Sequence, residues 1–275
     1  MIASGTAVAL AEAYDEGELG GKAVQLGAAL RAGLPVPEGV ALPAALVAAV
    51  AARDPAAVTE LSGVRDALPG PLAVRSSCAD EDSTAASFAG QHLTRLNVRS
   101  LDQLVAAVAA VWRSGRSASA LTYRRKLGVE GDPRMGVVVQ RLLDPEVSGV
   151  LFTRHPVTGI DERVIEATWG LGEAVVQGLV TPDRYRLSPT GEVLERSPGR
   201  KQVAIRARPD GGAASEPVAA HLVQALCLDD HRLASLHALA RRCEQAFPGP
   251  SDLEWAFTDT NLHLLQRRPI TAAVR

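Results

Sequence analysis

The order in which strand-like and helix-like segments follow one another constrains this chain most. Short β-branched runs such as PLAVRSS, GVVVQRLL, SGVLFTRH and RVIEATW interleave with helical stretches such as AVQLGAALRAG and LDQLVAAVAAVWRSG. They do so without the strict strand-helix-strand rhythm of a parallel doubly wound sheet. The pattern therefore favours an α+β arrangement of two sheet-containing lobes, approximately 1–135 and 136–275, with the cleft between lobes as the natural ligand site. A chain of 275 residues that is 47% hydrophobic can bury a core of that size. GVVVQRLL and SGVLFTRH, separated only by the polar DPEV, read as adjacent strands. The segment RARPDGGAASEP concentrates Gly, Pro, Ser and charge and reads as a flexible surface excursion.

Charge and cysteine usage narrow the function classes. Lys and Arg total 29 against 31 Asp and Glu, so no overall basic field exists to recruit nucleic acid or anionic lipid. Cys78, Cys227 and Cys243 form no CxxC pair, and no two histidines have metal-ligand spacing. Glu12, Asp15, Glu16 and Glu18 come too early for a secretory leader, and Pro43 interrupts the short apolar stretch from Val40 to Ala52. These features fit a soluble protein of the reducing cytoplasm, with no membrane partner.

Several residues stand where chemistry could be done. Gly20-Gly21-Lys22 puts a cation and free backbone donors at a helix start, an arrangement suited to phosphate oxygens and also common in plain loops. Arg75 emerges from an apolar strand and needs either an acidic partner or a cleft. After it, Ser76, Ser77, Ser83, Thr84 and Ser87, punctuated by Gly90, offer hydroxyls and backbone donors of the kind that close over a polyphosphate, or an ordinary polar loop. The GxxxxGK[ST] spacing of a Walker A loop is absent. Gln140 ends the run GVVVQ, where a polar group can read an adenine edge. Near the C-terminus DLEWAF and LHLLQRRPI read as a hairpin. A three-residue loop at Asp259 to Asn261 would set Glu254 opposite Gln266 and Asp252 opposite Arg268, all on one face. Oxygen ligands of that kind suit Mg²⁺, with Arg268 neutralising a transferring phosphoryl group, and the alternative is a surface cross-strand ion pair. Glu166, in RVIEATWGLGE, is positioned to face the same cleft.

Taken together, LGGKAVQLGAALRAGLPVPEG, AVRSSCADEDSTAASFAGQHLTRLNV, VVVQRLLDPEVSGVLFTRHPVTG, VIEATWGLGEAVVQGLVTPDRYRL and DLEWAF followed by LLQRRPIT resemble, in family order, the ATP-binding domain shared by phosphoenolpyruvate synthase, pyruvate phosphate dikinase and rifampin phosphotransferase. The resemblance spans nearly the whole chain. It implies one ATP-grasp domain over 1–275 with the nucleotide between its lobes, and ATP and Mg²⁺ as cofactors. It also implies roles for Lys22 and Arg75 on the ATP phosphates, Gln140 on the adenine side, Glu254 and Gln266 on the metal, and Arg268 on the transferred phosphate. Ser87 to Gly90 fall in the loop that covers the phosphates. Two departures matter. The stretch between LPVPEG and AVRSS is shorter than the family leads one to expect, so helices of the first lobe are expected to be trimmed. No segment resembles the family's TxGGxxSHAAI block, so the expected acceptor is a histidine on a separate phosphohistidine-carrying protein or domain. Two other functions stay open: a self-contained ATP-grasp kinase or ligase acting on a small molecule, and a non-catalytic nucleotide-binding subunit.

Overall fold

The computed structural model describes residues 5–78, 93–126 and 133–270, and the chain divides into two compact units. The first comprises Met1–Ala28, Glu38–Leu142 and Pro209–Gly212; the second comprises Ala29–Pro37, Leu143–Arg208 and Ala213–Arg275.

In chain order the first unit contains β1 (Val8–Ala9), α1 (Glu16–Leu19), α2 (Gly21–Arg31, whose last turn counts with the second unit), β2 (Gly39–Leu42), α3 (Ala44–Ala51) and α4 (Pro55–Ala67). It continues with β3 (Leu72–Cys78), β4 (Thr94–Val98), α5 (Leu101–Ser114), α6 (Ala118–Lys126) and β5 (Met135–Arg141). Local chemistry sets the helix starts. Asp54 Oδ1 accepts from the amides of Ala56 and Ala57 with Pro55 at the first helical position, and Ser100 Oγ accepts from Gln103 N. The strands form one antiparallel sheet in the order β1-β2-β5-β3-β4. Side chains alternate across it: Leu72, Val74, Val137 and Val139 point into a core with Leu46, Val50, Leu61, Val108 and Val111 of α3, α4 and α5. Ala73, Arg75 and Ser77 of β3 therefore share the opposite face with Gly136, Val138 and Gln140 of β5.

The second unit holds β6 (Val147–Phe152), β7 (Arg163–Trp169), α7 (Glu173–Val176), β8 (Asp183–Leu187), β9 (Val193–Ser197), β10 (Val203–Ala207), β11 (Ala213–Pro217), α8 (Asp230–Ala246), β12 (Ser251–Thr258) and β13 (Asn261–Pro269). Its main sheet is antiparallel in the order β13-β12-β6-β7-β8-β9. One face packs Leu151, Ile165, Tyr185, Leu253 and Trp255 against Leu233, Leu236, Leu239 and Ala240 of α8, which Asp229 caps by accepting from Arg232 N at 2.8 Å. Gly149 is obligatory in this sheet: a Cβ there would sit 1.9 Å from the Glu166 carbonyl oxygen.

The α+β class is as expected, with two corrections. GVVVQ and SGVLF do not pair: β5 already bonds β2 and β3 on its two edges, so no edge is left for β6, and the polar linker carries the chain into the other sheet. The segment RARPDGGAASEP is also no loose excursion. It forms the β10–β11 hairpin, whose tip counts with the first unit, where Asn97 Nδ2 donates to Gly212 O at 2.8 Å and Gly212 N donates to Asn97 O. Gly211 (φ +114°) and Gly212 (φ +69°) supply the backbone conformations that let it turn. Among the described residues no helix is long and apolar enough to cross a membrane.

Candidate functional site

The candidate residues fall into two sets, one in each unit. In the first unit Lys22 occupies the first turn of α2, buried to 4% exposure, and its Nζ donates to the Ser76 carbonyl at 2.7 Å. Ser77 of β3 caps this helix across the fold, its Oγ accepting from Ala23 N at 3.1 Å. The helix can sit this close because Gly20 (φ +81°) has no side chain: a Cβ would lie 2.1 Å from Ser77 O. Arg75 lies in mid-strand rather than at the strand end, on the face turned away from the core, and is partly exposed. Gln140 is 3% exposed and pairs across the sheet with Gly39, where a Cβ would come within 2.6 Å of Gln140 Cγ. The unit thus brings a lysine at a helix N-terminus, an arginine and an amide to one side of one sheet. Ser77, grouped by sequence with the polyphosphate loop, is a strand residue with a capping task. Ser83, Thr84, Ser87 and Gly90 lie outside the described residues.

The second set stands on β12 and β13. Glu254 pairs with Gln266 and Asp252 with Arg268, the pairing that the hairpin count requires, although the loop is shorter than expected. Thr258 pairs with Asn261 across a two-residue turn at Asp259 and Thr260, with Asp259 at φ +53°, and the extra residue enters as a β-bulge beside Glu254 and Trp255. Arg268 Nη2 donates to Asp252 Oδ2 at 2.9 Å, while Asp252 Oδ1 is buried without a partner among the described residues. Burial pushes the Asp252 carboxyl above its ordinary range; Glu254 and Glu166 add to this and Arg268 opposes it.

What this set can do follows from its donors. Glu254, Asp252 and the Gln266 carbonyl are hard oxygen ligands of the kind that Mg²⁺ takes. Among the described residues no three His, Cys, Asp or Glu side chains converge on one point as a metal group. An ion here would therefore complete its shell with water and substrate oxygens, the usual mode for Mg²⁺ bound with a nucleotide. Arg268, whose side chain is 46% exposed against 15% for Asp252, presents its guanidinium at the surface, where an anion can approach it.

Residues 55–275 match the family described as pyruvate phosphate dikinase, AMP/ATP-binding domain. The chain belongs to this family. All the candidate residues of this pyruvate phosphate dikinase-type domain except Lys22 fall within the matched range. The chain is 41% identical over 202 residues to a probable phosphoenolpyruvate synthase of Methanothermobacter thermautotrophicus, covering 73% of this chain and 29% of that protein. It is 43% identical over 202 residues to a rifampicin phosphotransferase of Streptomyces, covering 72% and 23%. The chain thus spans less than a third of the length of these curated relatives. Among solved structures, an L-amino acid ligase from Bacillus licheniformis is similar at 14% identity and a TM-score of 0.43, over 92% of this chain and 43% of the ligase. Family membership identifies an AMP/ATP-binding domain.

Proposed function

We propose that this domain binds Mg-ATP and passes a phosphoryl group to a histidine carried by a partner protein or domain. The single observation behind this reading is the bulged β12–β13 hairpin, which presents Glu254, Gln266 and the Asp252–Arg268 pair on one sheet face. Lys22 and Arg75 bind phosphate oxygens, and Gln140 serves the adenine side. Glu254 and Gln266 hold the metal ion. Bound there, Mg²⁺ would neutralise charge on the polyphosphate and orient it. Arg268 releases Asp252 and meets the negative charge that builds on the transferring group, where a fixed cation in a partly buried site contributes most.

Two of the named relatives are a probable phosphoenolpyruvate synthase and a rifampicin phosphotransferase, which supports a phosphotransferase reading for the shared domain. The test is nucleotide product analysis. Purified protein with Mg²⁺ and ATP is assayed alone and with candidate partner proteins encoded beside it, resolving AMP from ADP. AMP that forms only with a partner is the expected result. ADP from the lone chain and a small acceptor would replace this reading with a self-contained kinase or ligase.

A further inference from the structure

Glu166 is left without a task by the site as described. It lies in mid-β7, paired with Val150 of β6 on one side and Arg184 of β8 on the other, and Val150 in turn pairs with Glu254. Residues directly opposite one another across a sheet share a face, so Gln266, Glu254, Val150, Glu166 and Arg184 form a single row. The face is the polar one, since the alternate residues Leu151, Ile165, Tyr185 and Leu253 fill the core under α8.

The cross-strand cation does not neutralise Glu166. Arg184 turns toward the β6–β7 connection, with Nη2 3.3 Å from His155 Nε2, while its Nε is buried without a partner among the described residues. His155 is fixed there because its Nδ1 accepts from the amides of Val157 and Thr158 at 3.2 Å each. No ion pair or side-chain hydrogen bond ties Glu166 to any described residue, yet its charge is felt at Asp252 in the neighbouring row. Two sheet spacings separate Glu166 from Glu254, a gap of about 10 Å. The apolar Val150 between them offers no polar group to fill it.

We propose that Glu166 binds the phosphoryl acceptor by accepting a hydrogen bond from the far ring N–H of its imidazole. The inference rests on the histidine-acceptor reading above and names the residue that would orient that histidine. The near ring nitrogen uses its lone pair to form the N–P bond. The P–O bond to the leaving phosphate breaks, its electron pair going to that oxygen. The ring thereby becomes an imidazolium whose remaining N–H proton stays on nitrogen, donated to the Glu166 carboxylate. A carboxylate at this position favours the charged ring over the neutral one, so the interaction strengthens as transfer proceeds.

The experiment uses small acceptors that differ in that one proton. The 275-residue protein with Mg²⁺ and ATP is given imidazole or N-methylimidazole in excess, and N-phosphorylated product is followed by ³¹P NMR, with ATP affinity measured separately. Wild type is expected to favour imidazole over N-methylimidazole by about ten-fold, the worth of one charge-assisted hydrogen bond. Glu166→Gln, which keeps the shape and loses the charge, should remove that preference with ATP affinity unchanged, and Glu166→Asp should restore part of it. Equal transfer to both acceptors by wild type, or a preference that survives in Glu166→Gln, overturns the role of Glu166 and leaves the histidine reading standing. Transfer to neither by wild type, with ATP bound, overturns the histidine reading and this inference with it.

Discussion

Replacing Lys201 by Met should destabilise the second unit more than any substitution at the candidate site. Asp183 and Lys201 are an ion pair with both side chains at 0% exposure. The carboxylate is also held by Gly199 N at 2.7 Å, Cys227 N at 2.8 Å, Cys227 Sγ at 3.0 Å and, more loosely, the Tyr185 hydroxyl at 3.4 Å. The backbone donors and the thiol remain when the ammonium is removed, but the negative charge then sits in the interior with no counter-charge. Breaking a buried pair from one side costs about 3–5 kcal/mol, a large share of the roughly 5–15 kcal/mol that holds a domain folded. At roughly 2–4 °C per kcal/mol for a domain of this size class, Tm should fall by roughly 6–20 °C. Asp183→Asn should cost about as much, because it strands the ammonium instead. The double substitution should cost less than the sum of the two by about 1–3 kcal/mol. Urea and thermal unfolding followed by tryptophan fluorescence in a Trp112→Phe background reads the second unit through Trp169 and the fully buried Trp255. If either single substitution moves stability by less than about 1 kcal/mol, the ammonium is not the carboxylate's essential partner and the account of this core is wrong.

Four further outcomes are expected. Asp252→Asn should raise stability at neutral pH while abolishing turnover: burial raises the folded carboxyl above its unfolded range, so ionisation there opposes folding, and the gain seen in urea melts should disappear as pH falls below the carboxylate range. Burial likewise pushes the Cys243 thiol up to about 11, so this contribution to stability is complete below the unfolded value near 9 and is lost as pH rises through 11; Cys243→Ala should flatten that part of the pH-stability curve, and the native thiol should resist iodoacetamide at pH 8. Ser77→Ala removes the cap of α2 and should cost about 1 kcal/mol in urea melts, with weaker ATP binding by isothermal calorimetry because Lys22 stands in the freed turn. Glu254→Ala and Arg268→Ala should each abolish AMP formation with unfolding midpoints close to wild type, and normal turnover in both would remove the hairpin from the site.

How far the sequence revealed all this depends on the range of the interaction involved. Lys22 at a helix start was legible because helix onset is local, written in Gly20-Gly21 and the apolar spacing that follows. The cap that completes that onset was not, because Ser77 comes from a strand 54 residues away. β5 and β6 misled for the same reason: each shows its own strand propensity, but whether two runs pair depends on which edges other strands have already taken. The β10–β11 hairpin looked loose because glycine, proline and charge mark a turn, and nothing in those residues announces the Asn97 groups that clamp the tip.

The β12–β13 hairpin shows where such reasoning succeeds and what it leaves open. Pairing Glu254 with Gln266 requires one residue more on the second strand's side than a two-residue turn provides. A three-residue loop supplies it at the tip and a bulge supplies it mid-strand, and both leave Asp252, Glu254, Gln266 and Arg268 in the same opposed pairs. Since side chains alternate with a period of two, only parity decides which residues share a face. The composition of the site was therefore readable from counting alone. The bulge changes what counting cannot reach: it lets Trp255, Ala256 and Phe257 keep a tight two-residue turn and a closely packed core, with the Trp255 and Phe257 rings 5.6 Å apart edge to face. It also places the local bend and added twist beside Glu254, next to the proposed ligands rather than at the exposed tip. A Leu265 deletion would remove the extra residue and restore a regular ladder across the same two-residue turn, with Glu254 still opposite Gln266 and Asp252 still opposite Arg268. Retained Mg-ATP binding with a retained fold is the outcome that parity requires, and its loss would refute that account.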